Sequence, residues 1–160
     1  MTKTKVLFVC LGNICRSPLA EAIFNHKIKE HGLEHIVLAD SCGTSNYHIG
    51  DPPDSRTVKN AHKNGVPINH LGRQLCADDL EEFDFIFAMD SSNHTNILRV
   101  DASDKHRHKV SLMREFDPVS KGEVPDPYYG GEKEFQEVFD ILDRTIGNFV
   151  MHLQDRISKK

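Results

Sequence analysis

Val6-Leu7-Phe8-Val9-Cys10-Leu11-Gly12-Asn13-Ile14-Cys15-Arg16-Ser17-Pro18-Leu19-Ala20 is the stretch from which the fold can be read. Residues 6–9 form a continuous apolar run with valine at both ends, the pattern of a strand buried on both faces of a parallel sheet. The run stops at Cys10. Gly12 and Asn13 tolerate positive φ, so the chain can curl and turn successive backbone N–H groups inward, the geometry of an anion cradle. Ser17 reads as a helix N-cap with Pro18 at the first helical position, which aims the positive end of a helix at the same point.

Cys10 and Arg16 bracket five intervening residues. In a closed loop the thiol lies at the floor and the guanidinium reaches around the rim, where its planar fork matches phosphate oxygens in pairs. The same amides, helix end and guanidinium favour a thiolate at Cys10 over a thiol. A small buried cysteine and an unrelated surface arginine would also satisfy a bare Cys-x5-Arg spacing. The preceding strand, the Gly-Asn pair and the following Ser-Pro make the nucleophile reading the stronger one. Neither a Gly-Lys-Ser/Thr loop nor a Gly-x-Gly-x-x-Gly fingerprint is present, so the nucleotide-binding loops are excluded.

Cys10-Leu-Gly-Asn-Ile-Cys-Arg-Ser-Pro, placed this close to the N-terminus, resembles the signature of the low-molecular-weight protein tyrosine phosphatases. A second landmark, Asp126-Pro127-Tyr128-Tyr129-Gly130, resembles that family's acid loop, and the likeness extends over nearly the whole chain. It implies an α/β fold: a single-domain three-layer sandwich with a four-stranded parallel sheet, helices on both faces and the phosphate loop after the first strand.

The composition agrees with one domain over residues 1–160. A chain of this length buries roughly 70% of its unfolded surface in one core. Net charge is −4 with 28% charged residues, so nothing points to nucleic acid, and an anion site must depend on local positive potential. The start Met-Thr-Lys-Thr-Lys precedes too few apolar residues for a signal core, and no stretch reaches membrane-spanning length, so a cytoplasmic location is expected. Four cysteines without secretion signals read as thiols rather than a disulfide framework.

Along the chain, apolar residues at Leu19, Ala20, Ile23, Phe24 and Ile28 predict a helix over 17–31, and residues 35–39 a second strand. Residues 40–44 then lie at that strand's C-terminal end, beside the cradle, because parallel strands joined by a crossover open on one sheet edge. Residues 45–54 read as a loop, Asp54 as the cap of a helix ending at Asn64-Gly65, residues 66–75 as a short strand and turn, and Ala77 as the start of a brief helix. Residues 83–89 and 110–113 are the third and fourth strands, Asp90 caps another helix, and the apolar spacing from Phe135 to Leu153 predicts a long C-terminal helix over the sheet. The run Asp-Lys-His-Arg-His-Lys over 104–109 lacks the further donors of a metal site and reads as a solvated charged loop.

The resemblance assigns further roles. Cys10, Arg16 and Asp126 would be catalytic; the amides of Leu11, Gly12, Asn13, Ile14, Cys15, Arg16 and Ser17 would bind phosphate; Ser41 and His70 would support the loop with Asn13 and Ser17. Tyr47, Asp90, Tyr128 and Tyr129 would border the pocket. Asp126 precedes proline, which keeps it out of the helical region on a segment that can be aimed, and a carboxylic acid at the leaving oxygen of an aryl phosphate contributes typically ~10²- to 10⁴-fold. The expected partners are phosphotyrosine-containing proteins or peptides, with inorganic phosphate and other oxyanions as inhibitors, no metal, cofactor, nucleic acid or membrane, and a monomeric state. Cys15 is a second thiol in the loop, expected to capture an oxidised Cys10 as a reversible disulfide. Arsenate reductases share the scaffold but carry two further cysteines on a mobile segment, and nothing after Cys76 is cysteine here. Phosphoarginine phosphatases typically carry threonine where this chain has Ile14. A phosphate-reading module without turnover would not need Cys10, Arg16 and Asp126 together.

Overall fold

Four parallel strands form the sheet: β1 Thr4–Cys10, β2 Val37–Gly43, β3 Phe85–Ala88 and β4 Val110–Leu112, in the order β2-β1-β3-β4. The computed structural model describes residues 3–159, so Met1 and Thr2 of the N-terminal stretch, and Lys160, lie outside it. Strand β1 has a neighbour on each edge and its residues 6–9 are fully buried. Val6, Phe8 and Cys10 face one core while Leu7 and Val9 face the other, the two-residue alternation of a strand covered on both sides.

The first core is closed by α1 Arg16–Glu30 and α5 Glu132–Ser158, whose apolar stripes meet on the sheet. Phe149 of α5 packs edge-on against Phe87, with ring centroids 4.7 Å apart. The second core takes Leu80 from α3 Ala77–Glu82 and Ile97 from α4 Ser91–Val100. Helix α2, Ser55–Lys63, packs beside α5 and α1. These are the three layers and four parallel strands expected.

Local expectations shift in places. Strand β2 starts two residues later than its apolar run and ends at Gly43, so Ser41 lies within the strand, because the register with β1 pairs Thr4 with Val37 and Cys10 with Gly43. Residues 66–75 form no strand; among the described residues a single bridge, Gly43 to Gln74, is their ladder pairing with the sheet. The 104–109 run is not wholly solvated: His106 is buried, its Nδ1 at 3.0 Å from Asp101 Oδ1 and its Nε2 at 3.1 Å from Glu81 Oε1.

The irregular segment after β4 is held by buried charge. Asp117 accepts from Arg114 Nε at 2.8 Å and from Arg144 Nε at 2.9 Å, and Arg114 Nη1 donates to Glu123 O at 2.9 Å. Burial alone would raise the Asp117 carboxyl, but the Arg144 and Arg114 guanidiniums and the Val119 amide outweigh it and hold it well below the usual carboxylate range. Val124 N then donates to Met89 O at 2.8 Å, which delivers residue 126 to the C-terminal end of β1 and β3.

Candidate active site

The loop between β1 and α1 has its carbonyls tied outward. Cys10 O accepts from Thr44 N, Leu11 O from Ser45 N, Ile14 O from Asp54 N and Cys15 O from Leu19 N, at 2.8 to 3.3 Å. Among the described residues no protein acceptor meets the amides of residues 11–15. A run of backbone donors turned away from its own carbonyls is a seat for an oxyanion. Asn13 holds the turn at φ 57. Gly12 does not use its freedom of φ; a Cβ there would lie 3.1 Å from His48 Cδ2, a tight contact with a side chain that is a third exposed. At Gly43 a Cβ would lie 2.7 Å from Leu11 O, which is why β2 can pass directly under the loop.

Ser17 is not a cap. Helix α1 begins one residue earlier, at Arg16, and no side chain caps it, because the first-turn amides face the loop's interior. The Ser17 hydroxyl instead lies 3.0 Å from Cys10 Sγ, and it accepts from Asn13 Nδ2 at 2.8 Å. Asn13 Nδ2 also donates to Ser41 Oγ at 3.1 Å, and Ser41 Oγ donates to Glu21 Oε1 at 2.7 Å. On its other side Asn13 Oδ1 accepts from His70 Nε2 at 2.7 Å and from Arg73 N at 3.1 Å. Since that oxygen can only accept, His70 carries its proton on Nε2, and Nδ1 faces Glu21 Oε1 at 3.3 Å. Burial pushes the Glu21 carboxyl up to about 7 and lowers His70. Ser41 and His70 thus both meet Asn13.

Glu21, Asp40 and His70 bring metal-type donor atoms within 4.8 Å of one another. Each is already engaged: Asp40 Oδ2 holds Arg73 Nε at 2.8 Å, Glu21 holds Ser41, and His70 holds Asn13. The cluster braces the loop.

Cys10, Arg16 and Asp126 meet in one cleft of about 290 Å³, lined also by Leu11, Gly12, Ile14, Cys15, Tyr47, His48, Tyr128 and Tyr129. Arg16 is buried. Its Nη1 donates to Asp90 Oδ2 at 2.8 Å and to Val124 O at 3.0 Å, while Nη2 lies 3.7 Å from Asp126 Oδ2. Burial would lower its pKa, but Cys10 and Asp90 more than compensate, so Arg16 is held charged. Asp90 therefore stands behind the arginine rather than on the cleft wall, and its other oxygen caps α4 through Asn93 N at 2.8 Å. Tyr129 reaches the mouth with 96% of its surface exposed. Cys15 is buried, and its thiol is pushed up to about 12, mainly by that burial.

His48 is a lining residue that the sequence reading missed. Its Nδ1 lies 3.1 Å from Asp51 Oδ2, and it sits in a loop without helical or strand period, so no local signal marks it. Arg56 was also unmarked; its guanidinium packs 5.4 Å from the Tyr128 ring centroid.

Fold and cleft together define a thiol-centred oxyanion-binding α/β protein. Residues 5–159 match the family model for low molecular weight phosphotyrosine protein phosphatases. The low molecular weight phosphotyrosine protein phosphatase of Schizosaccharomyces pombe is 49% identical over 153 residues, 94% of this chain and 97% of that one. The human protein of the same name is 40% identical over 146 residues, 91% and 92% of the two chains. A solved protein tyrosine phosphatase from Entamoeba histolytica superposes with a TM-score of 0.92 at 41% identity, covering 96% of this chain and 98% of the other. The chain belongs to the low molecular weight phosphotyrosine protein phosphatase family.

Proposed function

We propose that the protein hydrolyses phosphotyrosine in proteins and peptides, and small aryl phosphates, through a cysteinyl-phosphate intermediate. The amides from Leu11 to Ser17 and the Arg16 fork seat the phosphoryl group, and Tyr47, Tyr128 and Tyr129 flank the phenyl ring. The Cys10 sulfur attacks phosphorus, forming the S–P bond as the bond to the phenolic oxygen breaks, and Asp126 gives its proton to that oxygen. Water then attacks phosphorus, Asp126 takes a proton back, and Cys10 departs as a thiolate stabilised by the Ser17 hydroxyl. The charge spread over the phosphoryl oxygens is met by fixed dipoles and one guanidinium, the electrostatic positioning on which phosphoryl transfer depends.

The observation that carries this reading is the placement of Cys10 Sγ beside the Ser17 hydroxyl, under a loop of unpaired amides, with Asp126 across the cleft at Arg16. We place the protein in the cytoplasm as a single-domain monomer; among the described residues no helix is long and apolar enough to cross a membrane. The test is turnover of a phosphotyrosine peptide and para-nitrophenyl phosphate, with phosphoarginine and arsenate as comparators. Cys10→Ser should abolish release of phosphate, and Asp126→Ala should lower kcat/KM by roughly 10²- to 10⁴-fold. A parent enzyme that releases phosphate from phosphoarginine and leaves the aryl esters untouched sinks the assignment.

A further inference from the structure

Asp126 lies on a segment that belongs to no helix or strand, and its side chain is 47% exposed. A proton donor must nevertheless hold one oxygen within hydrogen-bond reach of the leaving group. Upstream the segment is anchored through Val124 and Met89, and downstream Gly131 N is capped by Glu134 Oε2 at 2.9 Å. A third attachment comes from α2. Arg56 grips Asp54 with both prongs, Nε to Oδ1 at 3.1 Å and Nη2 to Oδ2 at 2.9 Å. Asp54 in turn donates its amide to Ile14 O, a carbonyl of the anion loop, at 2.8 Å. The same guanidinium lies against two rings, Phe135 at 4.7 Å and Tyr128 at 5.4 Å from the centroids. Tyr128 N donates to Asp126 Oδ1 at 3.1 Å, leaving Oδ2 as the oxygen on the side of Arg16.

We infer that Arg56 is a positioning residue for proton donation: it couples the anion loop, through Asp54, to the Tyr128–Asp126 turn, so that cradle and acid keep one relative orientation. The inference rests on the reading of Asp126 as the proton donor and adds a residue that does not line the cleft. Arginine suits the place because one planar group pairs two-pronged with a carboxylate along its edge while its faces meet aromatic rings; an ammonium lacks the two-pronged fork. Unlike Asp90, which steadies Arg16 and hence phosphate binding, Arg56 contacts the acid turn.

The two roles separate by leaving group. Phenyl phosphate needs a proton on its departing oxygen, whereas 2,4-dinitrophenyl phosphate releases a stable anion. We expect Arg56→Ala to lower kcat/KM for phenyl phosphate by roughly ten- to a hundredfold, the scale of a small misplacement of a reacting group, and to cost far less with the dinitrophenyl ester. In an Asp126→Asn background Arg56→Ala should add nothing further on either ester. Inhibition by inorganic phosphate should stay close to the parent's, since the cradle is intact, and Arg56→Lys should fall between parent and alanine. If Arg56→Ala fails to fold, as judged by its thermal melt, Arg56→Gln, which keeps the stem and removes the charged fork, must give the same leaving-group signature. Equal losses on both esters, or full additivity with Asp126→Asn, overturn the inference while the phosphatase reading stands. A parent that hydrolyses neither ester overturns both.

Discussion

Asn13 shows how much one side chain can carry. Its backbone sits at φ 57, where residues with a Cβ are strained by about 1–2 kcal/mol, and its amide joins Ser17, Ser41, His70 and Arg73. Asn13→Ala is expected to add that strain to the cost of leaving buried partners unpaired, about 1–3 kcal/mol more. Asn13→Gly loses the same partners without the strain, so in chemical denaturation the difference between the two variants measures the strain and the loss in Asn13→Gly measures the network. Cys15 has a different bearing: burial keeps its thiol protonated at neutral pH, and the proposed capture of an oxidised Cys10 would therefore be slow. After peroxide, Cys15→Ala should regain less activity with added thiol than the parent; equal recovery would dismiss the disulfide. The loop's left-handed turn was legible because asparagine is among the few residues that accept it. Ser17 was legible as important but not as what it is, since a serine before proline looks like a cap whether or not its hydroxyl has a thiol to meet. The close approach of His48 to Gly12 is a contact that no local window contains.

Among the elements, the segment from Asp117 to Asp126 is held by charge rather than by regular structure. Asp117→Asn should destabilise the fold by about 3 kcal/mol, because two guanidiniums lose their buried partner. The sign with pH follows from the lowered carboxyl. Its contribution is complete above the ordinary aspartate value of ~3.9 and drains away as pH falls toward the folded value, since the unfolded chain binds the proton first. Parent stability in denaturant should therefore decline more steeply below about pH 4 than that of Asp117→Asn. Strands and helices with sustained apolar periodicity, β1, α1 and α5 above all, could be read directly. Strand β2 could be located but not bounded, because its register is set by β1. The apolar residues of 66–75 serve the two cores, Val66 and Ile68 in one and Leu75 in the other, rather than a ladder, and nothing in the composition distinguishes the two. His106 was hidden for the same reason: its partners Glu81 and Asp101 come from α3 and the end of α4.

Taken whole, the molecule is acidic, with a net charge of −4, yet gathers its anion seat at one end of the sheet. Any ligand that fills that seat stabilises the native state by mass action. Inorganic phosphate or vanadate at a hundredfold excess over its Kd should contribute ~2.7 kcal/mol. For a chain of this size that is a rise in Tm of about 5–11 °C, and Arg16→Ala should abolish most of it in a thermal-shift assay.

The central place of β1 has one more consequence. A strand with partners on both edges and burial on both faces exchanges its amide hydrogens only when the molecule opens globally, whereas the amides of residues 126–130 lie outside helix and strand on a largely exposed turn. Deuterium should therefore enter the segment around Tyr129 within the dead time of mixing and reach Val6 to Val9 last. The strand that ends at Cys10 is then the last element to yield its amide hydrogens, and the floor of the cleft is as firm as the core itself.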